Sequence, residues 1–131
     1  MASIGNVRLT IGIEGANARV RVRYTVYFDD FDQRSNLTYT ERCYIYGDDT
    51  GTGDILAGGD DSIPRGTIAS RAVRSNGNSS IYRDYTKLYS RHELDEDGWP
   101  NGPDDIRARV TTTPRLPASR RKDSNLIQMN F

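Results

Sequence analysis

The sequence predicts an all-β fold, a two-sheet antiparallel sandwich of about seven strands. The first observation behind this prediction is that apolar residues recur at every second position in several segments, as they do in strands that bury one face. The second observation is the type of charged residue, since the chain has 16 Arg but 2 Lys, and 14 Asp but 4 Glu. Lys and Glu favour helix surfaces, whereas Asp favours turns.

The length and the apolar content indicate a single domain. A chain of 131 residues, 35% of them apolar, is long enough for one thin core. A sandwich suits such a chain because each strand needs an apolar residue only at every second position. We therefore predict that residues 1–131 form a single β-sandwich domain.

Seven predicted strands follow one another with turn-rich loops between them. The second strand shows the alternation most clearly, since its apolar residues from Val20 to Phe28 are separated mainly by arginines. The fifth also fits a helical spacing, but its tyrosines favour a strand. The predicted strands span about 7–13, 19–28, 37–46, 67–74, 80–90, 106–113 and 125–131. The predicted core includes Val20, Val22, Tyr24, Val26, Leu37, Cys43, Ile45, Ala108 and Val110.

Seven strands of this length and spacing resemble an immunoglobulin-like or fibronectin-type sandwich. The segment Leu94–Asp97, which leads into Ile106–Thr111, is similar to the corner that enters the sixth strand of such domains. The sequence lacks a cysteine pair on the second and sixth strands, a tryptophan on the third and a tyrosine at the start of the sixth. These departures exclude an antibody-type domain and leave related sandwiches open, including calcium-binding C2-like domains.

Several classes of function are disfavoured by the residue content. Cys43 is the only cysteine, so we expect neither an intrachain disulfide nor a thiolate metal site. The first residues show no basic segment followed by an apolar run, and no apolar stretch is long enough to span a membrane. We therefore expect that the chain is synthesised in the cytoplasm without a signal peptide and has no membrane partner. One location that fits this expectation is an assembled particle.

The sequence predicts that the chain is not an enzyme and needs no cofactor. His92 is the only histidine, and no known catalytic motif occurs. Ser90, His92 and Asp95 lie close together, and alternation places Ser90 and His92 on one strand face. Nothing in the sequence identifies a nucleophile or a pocket lined with hydrogen-bond donors, both of which a catalytic triad needs.

Acidic residues concentrate in three connections that an immunoglobulin-like order brings to one end of the sandwich. Within the first, third and fifth connections, the loop segments 14–17, 47–64 and 93–105 together hold 12 acids and no Lys or Arg, whereas the sixth connection is basic. We therefore expect an acidic pole and, opposite to it, a basic pole. The acidic-pole candidates are Asp48, Asp49, Asp54, Asp60, Asp61, Asp95, Asp97, Asp104 and Asp105, and the basic-pole candidates are Arg115, Arg120, Arg121 and Lys122.

This separation of charge supports two hypotheses. The first is a non-enzymatic structural or protein-interaction module, a subunit of a larger assembly such as a virion, tail-like particle or fibre. Its acidic pole would meet a basic surface of a protein partner or of a second copy. The alternative is a Ca²⁺-assisted binding module, C2-like or carbohydrate-binding, because carboxylates separated by glycines suit an ion that takes about six to eight oxygen ligands.

Basic residues also line one face of the second strand. Alternation places Arg19, Arg21 and Arg23 on that face, and we expect Arg83, Lys87 and Arg91 beside them on the fifth strand. Such a face is able to hold phosphates. Because the formal net charge is zero, we interpret these residues as paired with Asp and Tyr neighbours, and we do not expect a nucleic-acid partner.

Overall fold

The computed structural model describes residues 1–48, 60–95, 104–115 and 120–131. Within these ranges seven strands form two antiparallel sheets, which confirms the all-β sandwich. Sheet A contains three strands in the order β1-β2-β5, and sheet B contains four in the order β4-β3-β6-β7. In chain order the elements are β1 (Ser3–Glu14), β2 (Asn17–Tyr27), α1 (Asp30–Ser35), β3 (Tyr39–Asp48), β4 (Asp60–Val73), β5 (Ser80–Ser90), α2 (Arg91–Leu94), β6 (Asp104–Pro114) and β7 (Arg120–Met129).

The strand order differs from that of constant-type immunoglobulin domains in the position of β4. In constant-type immunoglobulin domains the fourth strand pairs with the fifth. Here β4 pairs with β3, and β5 pairs with β2. The immunoglobulin-like or fibronectin-type order proposed from the sequence stays a prediction.

The core lies between the inner faces of the two sheets, and β2 is its most deeply buried strand. Alternate residues of β2, from Ala18 to Val26, are at most 1% exposed. The predicted core residues are buried with one exception, Leu37, which is half-buried and packs against the edge of the core. The period-2 pattern therefore identified the inward face of each central strand correctly.

Side chains join the two sheets along both of their edges. At one edge the Asn125 side-chain amide of β7 accepts a hydrogen bond from the Leu9 N–H at 2.9 Å and donates one to the Leu9 carbonyl at 3.1 Å. Both backbone groups of Leu9 thus have partners, although among the described strands β1 has no further neighbour on this side. At the other edge the Lys87 ammonium and the Tyr89 hydroxyl both donate to the Arg65 carbonyl, each at 2.8 Å. These bonds satisfy backbone groups that edge strands otherwise expose.

Two short helices, which the sequence analysis did not predict, carry the chain from one sheet to the other. Each begins with a capping box, in which two residues three positions apart bond each other's backbone N–H groups. Asp29 and Asp32 form the box of α1, and Ser90 and Glu93 form the box of α2. The capping pattern is visible in the sequence, but helices of 6 and 4 residues are too short to show an apolar period.

The strand limits differ from the predicted ones most clearly in β4 and β7. β4 begins at Asp60 instead of about residue 67, and β7 begins at Arg120 instead of about residue 125. Both added segments are rich in charged residues, and the first contains Pro64, so neither shows an apolar alternation. Pairing with β3 and with β6 overrides this weak local preference.

Gly66 lies where β4 bends against β3. The register of this pairing shifts nearby, and the preceding residue, Arg65, has a φ of 57°. A Cβ at Gly66 would lie 2.6 Å from the Ile45 carbonyl oxygen and 2.8 Å from that of Ile63. Backbone atoms of two paired strands cannot move aside as a flexible side chain can, so this position requires glycine.

We expect Gly66→Ala to destabilise the domain by about 1–3 kcal/mol, because the added methyl group overpacks a buried site. Gly12→Ala is the matched control, since a Cβ there meets nothing within 4 Å. Urea unfolding followed by circular dichroism measures both free energies of unfolding. Equal midpoints for the two variants would contradict the close approach at Gly66.

Candidate interaction surface

The outer face of sheet A presents arginines from two neighbouring strands to solvent. Alternation directs Arg19, Arg21 and Arg23 of β2 away from the core, as predicted, and Arg8 of β1 lies directly opposite Arg23. We call this surface the arginine face. Its rungs across β1, β2 and β5 are Glu14/Asn17/Ser90, Gly12/Arg19/Leu88, Thr10/Arg21/Thr86, Arg8/Arg23/Asp84, Gly5/Thr25/Tyr82 and Ser3/Tyr27/Ser80.

The prediction that Arg83, Lys87 and Arg91 lie beside these arginines is wrong. Arg83 is paired with Tyr24 and Lys87 with Val20, so both lie on the side of the sheet that faces sheet B. Arg91 belongs to α2, after the end of the strand. The error has a physical reason: β5 carries large apolar or aromatic residues at both odd and even positions, so its sequence does not define which face is buried.

Two of the four arginines on this face are held by carboxylates. Arg19 forms two hydrogen bonds with Glu14, at 2.8 and 3.1 Å, and Arg21 forms two with Asp84, at 3.0 and 2.7 Å. Donation from the guanidinium groups lowers the pKa of Glu14 and of Asp84. Among the described residues, neither Arg8 nor Arg23 has a salt bridge or a side-chain hydrogen bond. The face therefore carries a net positive charge.

Three large hydrophobic side chains are exposed on the same face. Tyr82 is 61% exposed, Leu88 44% and Tyr27 43%. Protein-protein interfaces are enriched in Tyr and Arg and depleted in Lys, Glu and Asp, relative to the rest of the surface. The rungs of the arginine face contain no Lys among the described residues. Its Tyr and Arg content and its lack of Lys are shared with such interfaces, whereas its Glu14, Asp84 and three Ser are not.

The described residues of the predicted acidic pole lie at one end of the sandwich. In sheet B, Asp48 is paired with Asp60, and β6 begins beside them at Asp104. In sheet A, β5 ends beside the first turn and leads into α2, where Glu93 bonds Arg65 of β4. The first, third and fifth connections therefore leave from the same end. Of the predicted acidic residues, Asp49, Asp54 and Asp97 lie outside the described residues.

Part of the acidic charge at this end is already paired. Two hydrogen bonds from Arg65, at 2.8 and 3.1 Å, lower the pKa of Glu93 to about 2. Asp95 and Asp105 are half-buried. Within the described ranges there is no group of three or more His, Cys, Asp or Glu side chains that could hold a metal ion. The Ca²⁺ hypothesis stays a prediction.

The predicted basic residues lie near the opposite end, but most of them belong to a strand and not to a loop. β7 begins at Arg120 and continues through Arg121 and Lys122, which lie opposite residues of β6. Arg115 is exposed directly after β6, and helix α1 brings acids such as Asp30 to the same end. Because β7 is an edge strand, its exposed bases also disfavour edge-to-edge pairing. The predicted basic residues therefore lie along the start of β7 and directly after β6, at the same end as the acids of α1.

A buried ion pair between the two sheets was not predicted. Glu41 of β3 is 1% exposed and accepts hydrogen bonds from Arg83 of β5, at 2.9 to 3.2 Å, and from the Tyr24 hydroxyl. Burial and this bond to Glu41 raise the pKa of Tyr24. One feature of the sequence indicates that Glu41 is buried. It lies two residues from Tyr39 and two from Cys43, so alternation places all three side chains on the inner face of β3. The pair fixes one sheet over the other.

An arginine on the outer face of sheet B is a packed structural residue. Arg109 is 2% exposed, forms hydrogen bonds of 2.6 and 3.1 Å with Asp123, and lies 4.6 Å from the centre of the Tyr46 ring. The hydrogen bonds to Asp123 raise the pKa of the Arg109 guanidinium. Arg8 and Arg23 on sheet A differ from Arg109, because no described carboxylate is bonded to either of them.

Ser90 and His92, two of the three residues weighed as a catalytic triad, lie in different elements of the fold. The strand ends at Ser90, so Ser90 and His92 do not share a strand face as the sequence analysis expected. The Ser90 hydroxyl accepts the Glu93 N–H at 3.2 Å and caps α2. His92 is an exposed residue of that helix.

Comparison with protein-family models, with curated proteins and with solved structures finds no match for this chain. No helix within the described residues is both long and apolar enough to cross a membrane.

Proposed function

We propose that the chain is a non-enzymatic protein-interaction module, a subunit that assembles with further copies of itself. In this assembly the arginine face of one copy binds the acidic end of the next. The observation that carries the proposal is the arginine face itself, where Arg8 and Arg23 have no described carboxylate partner and exposed tyrosines flank them.

Complementary charge supports a second copy as the partner. The chain has 18 basic and 18 acidic residues, so its net charge is zero, whereas the arginine face carries four arginines and two acids. A net charge near zero also favours association over mutual repulsion. The contact joins two different surfaces, so it is heterologous, and copies would form rings or filaments instead of two-fold dimers.

The size of the arginine face sets the expected strength of the contact. Strands of 11 and 12 residues, spaced about 4.8 Å apart, give a face of roughly 35 by 15 Å. Such a face buries on the order of 1,000 Å² over both partners, the lower limit for specific interfaces. We therefore expect weak association that is visible at high protein concentration and falls as salt screens the charges.

Sedimentation velocity of the full chain, over a range of protein and salt concentrations, tests this proposal. We expect oligomers at low salt that dissociate as salt rises, and we expect Arg8→Glu with Arg23→Glu to abolish them. The acidic-end reversal Asp48→Lys with Asp95→Lys, added to the same chain, should restore part of the association.

The matched control reverses two bases of the predicted basic pole, Arg115→Glu with Arg121→Glu. If these changes abolish association and the arginine-face changes do not, the basic pole is the contact surface and the proposed surface is wrong. A chain that is monomeric at every concentration in low salt would show that a second copy is not the partner.

A further inference from the structure

We propose that a pocket on the arginine face binds a phosphate group. The pocket is open and has a volume of about 290 Å³. It lies beside a β-bulge between Gly5 and Arg8, where the register of the pairing between β1 and β2 shifts. Asn6, within this bulge, adopts a φ of 53°. The residues that line the pocket are Asn6, Arg8, Arg23, Tyr24, Thr25 and Tyr82.

Two arginines, Arg8 and Arg23, line this pocket, and neither is hydrogen-bonded to a described carboxylate. Arg8 and Arg23 are directly opposite residues of adjacent strands, an arrangement in which like charges repel. The Arg23 Nε atom is buried and has no hydrogen-bond partner among the described residues. A buried donor without an acceptor is unfavourable. An anion bound between the two side chains would remove the repulsion.

The nearest carboxylate does not supply that anion. Asp84 lies opposite Arg23 on β5, but its two oxygens are bonded to Arg21 at 3.0 and 2.7 Å. Its charge still acts on the pocket, since Arg23 contributes to the lowered pKa of Asp84. A ligand must therefore bind against one negative charge, which favours a group with more than one charge and several acceptor oxygens.

The size and the donor set of the pocket favour phosphate over a larger or a less charged ligand. A volume of about 290 Å³ is at the lower end of ligand pockets, which suits a small group. Phosphate carries about −1.5 to −2 charges at neutral pH and three strong acceptor oxygens, and guanidinium groups bind it through paired hydrogen bonds. Asn6, Thr25 and Tyr82 add an amide and two hydroxyl groups, more donors than a carboxylate needs.

The inference goes beyond the proposed function, because free phosphate needs no second copy. The test is a titration of the full chain with inorganic phosphate, followed by two-dimensional amide NMR, at a protein concentration where sedimentation shows a monomer. Sodium acetate and sodium chloride at matched ionic strength are parallel arms. We expect saturable shifts of the Arg8, Arg23 and Tyr82 amides with phosphate, and at least tenfold weaker binding of acetate.

Single variants then assign the site. Arg8→Gln and Arg23→Gln should each weaken phosphate binding at least tenfold, with otherwise unchanged spectra that show intact folding. Arg115→Gln changes an exposed arginine that follows β6 of the other sheet and does not line the pocket, so this matched control should bind as the parent chain does. Phosphate shifts no larger than those from chloride, or an equal loss in Arg115→Gln, would overturn the inference, and neither result depends on whether the copies associate.

Discussion

Glu41→Ala is expected to destabilise the domain by about 3–5 kcal/mol, the usual cost of removing one partner of a buried ion pair. Glu41 is 1% exposed and is the described acceptor for the Arg83 guanidinium and the Tyr24 hydroxyl. Without the carboxylate, the partly buried charge of Arg83 and the buried hydroxyl of Tyr24 would have no described acceptor. Urea unfolding followed by tyrosine fluorescence and circular dichroism measures the loss.

A matched control is available on the surface of the same chain. Glu14 also forms two hydrogen bonds with an arginine, Arg19, but both side chains are about half exposed. Water and salt screen such a pair, so Glu14→Ala should have little effect. The double variant Glu41→Leu with Arg83→Met should recover much of the loss, because it removes both charges and leaves apolar groups of similar volume. Equal unfolding midpoints for Glu41→Ala and Glu14→Ala would contradict the buried pair.

Val22→Asp is expected to cost several kcal/mol of the roughly 5–15 kcal/mol that stabilises a typical domain. Val22 is 0% exposed on β2, the central strand of sheet A, and belongs to the main core cluster. The new carboxylate would either lose its hydration or force the two sheets apart. We expect a protein that is largely unfolded at physiological temperature, as measured by thermal unfolding in circular dichroism.

Thr10→Asp is the control for this second change. Thr10 lies on the neighbouring strand, but it is exposed on the outer face opposite Arg21. A carboxylate there stays hydrated beside a positive charge, so the unfolding temperature should change little. If Val22→Asp unfolds at the same temperature as Thr10→Asp, the assignment of the inner face of β2 is wrong.

The strands whose two faces differ in polarity were predictable from the sequence. In β2 and β3, apolar residues occupy one phase almost without interruption, so Val22 and Cys43 were assigned inward correctly. The limits of β5, Ser80 to Ser90, were also predicted as they are observed. Period-2 alternation is a local property, which a single strand displays before it has any neighbours.

The acidic end was predictable for a related reason, since an antiparallel chain that reverses at each turn brings alternate connections to one end. The paired positions of Asp48 and Asp60 agree with that expectation. The basic pole was predicted less well, because β7 extends to Arg120 only by pairing with β6. The segment 120–124 shows no alternation of apolar and polar residues, so its sequence does not predict a strand with one buried face.

The roles of the arginines depend on the tertiary structure. Arg109 is buried against Asp123 and Tyr46, Arg83 is half-buried and bonded to Glu41, and Arg23 borders an open pocket beside Arg8. In the sequence each of these is an arginine in a strand, and the residues that Arg83 and Arg109 contact lie from 14 to 63 residues away along the chain. Strand register, which arises from the pairing of distant segments, selects the partner of each charge and thereby separates the arginines bonded to carboxylates from Arg8 and Arg23, which are not bonded to a described carboxylate.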